Sequence, residues 1–312
     1  MGAGQDETAA GEDIAASGGP LPRLPGVVAA LVTPYNGYGG IDTDAVGRLV
    51  ERAIGGGVAG LLVNGAIGEA AHLSRGERLF VIEAAREAAR GRVPLWAGTG
   101  AVGAEETLAL TWDAGKAGVD AAVVAAPFYY RLSQAALLAH YREIARRGRL
   151  PLVVQNAPTA LGNALAPATL AELARVPGIV GISEGARELG YLAETLRLVG
   201  DACPVLAGDD AASYPALCAG ARGLVSAVAG VLPEAVVGLV AAHTAGHGAL
   251  AEALWRRLAP LGQLLIEQGE AVAVCKAALD LLDLPGGEPR RPLPGLDEVG
   301  RKRVRDVLAA IE

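Results

Sequence analysis

Two adjacent polar residues, Ser183 and Glu184, interrupt the apolar run GIVGISEGA where a strand would give way to a helix. A serine at such a turn can act as a nucleophile if a histidine takes its proton and an acid orients that histidine. Residues 181–185, Gly-Ile-Ser-Glu-Gly, match the G-x-S-x-G elbow, and Asp209 or Asp210 and then His243 or His247 follow in serine, acid, histidine order. The pattern is short, however, and in a chain with 43 glycines chance matches are common. Both histidines also fall at the far end of the helix after the last predicted strand, away from the strand ends.

Other patterns offer less. Gly98 to Gly103 reads G-T-G-A-V-G, with Asp120 about twenty residues on, but Asp120 precedes a strand where the dinucleotide fingerprint needs an acid at a strand's end. A glycine turn closing a strand is the simpler reading. His243 and His247 could place two metal ligands on one helix face, yet Gly246 interrupts that helix and no third ligand is close in sequence. No metal and no cofactor is expected. Asp209-Asp210 can be a carboxylate pair for acid–base work or an acceptor of backbone hydrogen bonds, and the second use is the commoner one.

What must position these residues is a series of short apolar runs alternating with helical patterns. Strands are predicted to begin near Gly26, Ala59, Pro94, Ala121, Pro151, Ile179, Pro204 and Gly223. The runs are continuously apolar rather than alternating, as in parallel sheets buried on both faces. Helical spacing links Val46, Leu49, Val50 and Ala53. A capping box, Ser74 to Glu77, opens the helix that carries Leu79, Ile82 and Ala85, and Leu137, Tyr141 and Ile144 mark another.

Eight strand–helix units predict a (β/α)8 barrel over residues 23–247, after a disordered polar tail at 1–22 and before a C-terminal helical appendage at 248–312. In such barrels chemistry sits at the carboxyl ends of the strands. That rule selects Thr33, Asn64 to Glu69, Gly98 to Gly100, Phe128 to Tyr130, Gln155-Asn156, Ser183-Glu184, Asp209-Asp210 and Ser226.

Composition narrows the partners. A net charge of -7 with scattered basic residues argues against nucleic acid and against anionic membrane surfaces. No apolar run reaches spanning length without a charge, Gly or Pro, and no signal peptide is visible. Cys203, Cys218 and Cys275 have no metal or redox spacing and read as apolar fillers. A cytoplasmic protein with a small-molecule ligand in the barrel mouth is the expectation.

The ordered set AALVTP, NGAIGEAAHLS, AGTGA, APFYYRLSQ, VVQNAPTALG, GISEGA and AGDDAA resembles the dihydrodipicolinate synthase / N-acetylneuraminate lyase family from about Gly26 to Ile311. The resemblance implies a barrel, usually tetrameric, that makes or breaks carbon–carbon bonds next to a 2-keto acid or dehydrates sugar acids, and for this chain a homo-oligomer, tetramer or dimer. It also implies a lysine that forms a Schiff base at the sixth strand, a proton-shuttling tyrosine at the fifth, and two hydroxyls in the second-strand turn.

At the matching positions this chain has Ser183, Gln155, and Ala66 with Ile67 between Gly65 and Gly68-Glu69. Ala160 stands where synthases that take a second carboxylate carry an arginine. Tyr129 matches the tyrosine that reaches a neighbouring subunit's site in many members. A hydroxyl cannot form an imine, and glutamine cannot exchange a proton near neutral pH. Of the three lysines, Lys116, Lys276 and Lys302, none falls at a strand end.

The expectation is therefore a divergent member with a more apolar pocket, acting without an imine or only binding a ligand. Its candidate catalytic residues are Ser183, Glu184, Tyr129, Gln155 and Glu69, with Gly65, Ala66, Ile67, Asn156, Ala160, Asp209 and Ser226 around the ligand. A non-catalytic binding protein and a serine hydrolase using Ser183 are the alternatives.

Overall fold

The computed structural model describes residues 26–266 and 270–311, apart from the side chains at 159 and 160. The tail expected at 1–22 lies outside the described residues. Eight parallel strands close into a barrel in chain order: β1 (Gly26–Ala30), β2 (Gly60–Val63), β3 (Leu95–Gly98), β4 (Ala121–Ala125), β5 (Leu152–Asn156), β6 (Ile179–Glu184), β7 (Val205–Ala207) and β8 (Gly223–Ser226). Each was foreseen from its apolar run, to within a residue or two at its start.

Strand alternation sorts the core into two shells. The inner one fills the lumen with Val28, Ala30, Leu62, Trp96, Ala121, Val123, Val153, Leu206 and Val225. The outer one packs the alternate strand residues, such as Leu61, Ala97, Val154 and Ile182, against the surrounding helices. Trp96, 1 % exposed, is the bulkiest inner residue, so the lumen is a packed core and only its upper rim can receive a ligand.

Local chemistry explains the helix starts. Ser74 caps the helix Arg75–Ala89, and Glu77 reaches back to the Ser74 N–H, which completes the capping box. Asp42 and Ser133 cap Thr43–Gly55 and Gln134–Arg147 by accepting from the Ala45 and Ala136 N–H groups. Beyond the barrel, helices Gly248–Leu264, Ala271–Leu281 and Glu298–Ile311 follow one another. No helix among the described residues is long and apolar enough to cross a membrane.

One irregularity matters for the site. Between β5 and β6 the register shifts: Leu152 faces Ile179, but Val153 faces Gly181, so Val180 is an extra residue in β6. Its side chain packs on the inner core.

Candidate functional site

The ends of β5 and β6 present two residues to each side. Gln155 pairs with Ser183, and Ser183 pairs with the inner-core Leu206, so Gln155 and Ser183 share the inner face of the barrel. Ser183 is buried, and a Cβ built on Gly208 would lie 3.1 Å from its Oγ. The β7 exit is thus kept small beside the hydroxyl. Neither side chain exchanges a hydrogen bond with another described residue.

Asn156 and Glu184, one residue further along, turn to the outer side with Ala207. There Asn156 Nδ2 donates to both Glu184 oxygens at 3.0 and 2.9 Å, and the Ala186 N–H donates to Oε1 at 2.8 Å. Asn156 Oδ1 accepts from the Leu165 N–H at 3.0 Å, while the Tyr191 hydroxyl donates to the Leu165 carbonyl. Burial pushes the Glu184 carboxyl up to about 7, with the Asn156 amide pulling against it. The expectation that Ser183 and Glu184 work side by side in the mouth is corrected by strand alternation, which points them to opposite sides of the wall.

Across the barrel, the turn after β2 keeps a tight backbone. Thr33 Oγ1 donates to the Gly68 carbonyl at 2.7 Å, and the Glu69 and Ala70 N–H groups donate to the Ala66 and Gly65 carbonyls. Ala66 is exposed and Ile67 half-buried. Gly98 at the end of β3 is pressed against this turn, since an added Cβ would meet the Asn64 carbonyl oxygen at 1.9 Å. Gly98 and Gly100, whose added Cβ would meet the Ala125 N at 2.8 Å, are therefore close-packing positions, while Gly103 has open space around it. Asp120 lies at the opposite end of the barrel, accepting from the Leu95 N–H at 2.7 Å.

Glu69 does not face the lumen. Its Oε1 lies 2.7 Å from Lys276 Nζ, with both side chains fully buried, and its Oε2 accepts from the Arg290 N–H at 2.7 Å. Lys276 comes from the C-terminal helix Ala271–Leu281, also donates to the Glu288 carbonyl at 3.0 Å, and sits 4.3 Å from the Tyr35 ring centroid. The Arg290 guanidinium lies 4.4 Å from the same centroid and pairs with Glu77 at 2.7 Å. Burial lowers the Lys276 amine below the ordinary lysine range, while Glu69 opposes that shift.

The remaining acids are also occupied. Asp209 accepts from the Ala211 and Ala212 N–H groups, and Asp210 from Ser226 Oγ and the Ala227 N–H. Ser226 in turn accepts from the Ala229 N–H at 2.9 Å, so it holds the β8 exit and faces away from the lumen. Burial pushes Asp210 up to about 6. Ala160 lies in the short helix Pro158–Leu161 after β5.

Tyr129 stands on the loop after β4, 84 % exposed, with φ of 88° and its ring edge-on to Tyr130 at 5.0 Å. Three non-glycine residues with positive φ, Asn64, Glu69 and Tyr129, fall on loops at this end of the barrel. Such strain gathers where surrounding structure over-determines a loop.

No histidine hydrogen-bonds Ser183. His243 lies edge-on to Tyr214 at the end of Pro233–Thr244, and His247 opens the next helix, so no serine, acid, histidine triad is assembled.

The chain matches the Dihydrodipicolinate synthetase family over residues 23–311. It belongs to that family. It is 36% identical over 283 residues to the 4-hydroxy-tetrahydrodipicolinate synthase of Syntrophus aciditrophicus, covering 91% of this chain and 97% of that one. Among solved structures, the dihydrodipicolinate synthase of Thermotoga maritima superposes with a TM-score of 0.88 at 32% identity, over 91% of this chain and 97% of the other. A prophage protein of the same family from E. coli K12, solved in complex with pyruvate, gives 0.87 at 29% identity, over 92% and 98%.

Within this family fold, sequence reasoning missed the Lys276–Glu69 pair. The signal was present: Lys276 is the only charge in the run AVAVCKAAL, a stretch too apolar for a solvated lysine.

Proposed function

We propose that this chain is a cytoplasmic, homo-oligomeric member of the dihydrodipicolinate synthetase family that holds a small carbonyl compound at the barrel mouth without a lysine Schiff base. The observation that carries this reading is the pairing of a free hydroxyl with a committed amine. Ser183 occupies the inner wall of β6, and the one buried lysine, Lys276, is locked to Glu69 and the Glu288 carbonyl. Lys116 and Lys302 are exposed on outer helices, the latter paired with Asp306 at 3.2 Å. An imine needs a neutral, accessible amine within reach of the ketone, and no lysine meets that need.

What the inner face offers is hydrogen bonding. Gln155 and Ser183 can each donate to and accept from a ligand oxygen or nitrogen, and the apolar lumen below them excludes water. That arrangement can orient a reactive carbonyl compound for an elimination or cyclisation. A purely ligand-binding role is the second reading. It is favoured by the outward commitment of Glu69, Glu184, Asp209 and Asp210, which leaves no acid or base on the inner strand ends. Exposure of the Tyr129 and Tyr130 rings supports assembly with a second copy, as a dimer or tetramer.

The test is reductive trapping. Incubation with pyruvate and borohydride, followed by peptide mass spectrometry, is expected to leave all three lysines unmodified. A pyruvyl adduct on any of them refutes the imine-free reading.

A further inference from the structure

The inner wall carries a second piece of information, the sign of the charge it accepts. Residues that turn inward at the strand ends, Ala30, Ala125, Gln155, Ser183 and Gly208, are all uncharged. The cations near this end are held elsewhere. Lys276 is bound to Glu69, and Arg290 to Glu77. Arg78 donates to the Ala70 and Gly98 carbonyls, and Arg131 and Arg187 are exposed on rim loops. Around β6 to β8 the ionisable neighbours of the wall are acids instead: Glu184 follows Ser183, and Asp209 and Asp210 follow Gly208.

A carboxylate brought against this wall would lose water without gaining a cation, and acidic groups would stand behind it. A carboxamide has nearly the same shape and no charge. It also matches what Gln155 and Ser183 present, since each offers one donor and one acceptor side by side on neighbouring strands. Strand spacing of about 4.8 Å places them close enough to bond one planar group together.

We infer that the site selects a neutral carbonyl ligand, a 2-oxo amide or a similar uncharged 2-oxo compound, over the 2-keto acid anion of the same skeleton. The inference rests on the imine-free reading and names the ligand class of that same pocket.

Two isosteric pairs test it by titration calorimetry at pH 8: pyruvate against pyruvamide, and phenylglyoxylate against phenylglyoxylamide. The expected result is that at least one amide binds about tenfold or more tightly than its acid, as a carboxylate left uncompensated requires. Gln155→Leu and Ser183→Ala should each weaken that amide about fivefold, and Ser183→Lys should reverse the preference toward the acid. Equal or tighter binding of either acid to the wild-type protein overturns the inference, and so does the absence of binding by both amides. A borohydride-trapped lysine adduct is a different failure, because it removes the imine-free reading itself.

Discussion

Two faces of one short stretch of wall, the last two residues of β5 and of β6, carry opposite kinds of polar group. On the outer side, Asn156 and Glu184 satisfy each other and also hold Leu165 and Ala186. On the inner side, the Gln155 and Ser183 side chains have no hydrogen-bonding partner among the described residues. Buried polar groups are normally paired, and leaving one unmade costs about 1–3 kcal/mol. A wall that pairs one set completely and leaves its neighbours open separates the work of holding the barrel together from the work of meeting a ligand.

The largest disturbance should come from the most deeply buried outward group. Lys276→Met leaves the Glu69 carboxylate buried without its cation and is expected to cost about 3–5 kcal/mol in urea unfolding. The double variant with Glu69→Leu should recover much of that loss. Equal destabilisation in the single and double variants would show that the pair acts only through packing.

Next come the outer residues of β5 and β6. Asn156→Ala removes the donor to both Glu184 oxygens and the acceptor for the Leu165 N–H, with an expected loss of about 1–3 kcal/mol. On the inner side, Ser183→Ala and Gln155→Leu should shift stability by about 0.5 kcal/mol or less, because no internal bond is lost. A loss at Ser183 as large as that at Asn156 would dissolve the distinction between the two faces.

The pH dependence is a finer probe. The folded-state value of Glu184 is raised to about 7 from the ordinary 4.5, so the folded protein binds its proton more tightly than the unfolded chain does. The stabilisation this represents is complete below about pH 4.5 and is lost as pH rises through 7. Asp210, raised to about 6, adds a loss of the same sign at slightly lower pH. Glu184→Gln should flatten the decline in melting temperature between pH 5 and 8, and an unchanged slope would remove Glu184 as its source.

The fold was legible in the sequence because its signals are local and repeated. Short apolar runs such as GVVAALV and LVV, bounded by Gly or Pro and repeated eight times between helical patterns, read as strands covered on both faces, and Ser74 with Glu77 announces a helix start directly. The positions of Ser183, Gln155, Ala66 and Ile67 were also legible, from motif order. Their facing was not. Glu184 reads as a partner of Ser183 along the chain, and only the alternation of β6 sends it outward. The Lys276–Glu69 pair joins residues far apart in sequence, so no window of helical or strand periodicity contains both. Its one local trace was a lysine amid alanines and valines.

The extra residue Val180 gives the site a history that substitutions alone do not. Were the same sequence paired without the bulge, Val153 would face Val180, Gln155 would face Ile182, and every later residue of β6 would exchange sides. Ser183 would then be sealed among the helices, and Glu184 would stand in the mouth. Deleting Ile182, with the bulge kept, would pair Glu184 with Gln155 and turn a neutral wall into an acidic one, whereas deleting Val180 would only regularise the strand and leave Ser183 inward. Insertions and deletions in β6, more than point mutations, are therefore the changes by which members of this fold could trade one mouth chemistry for another.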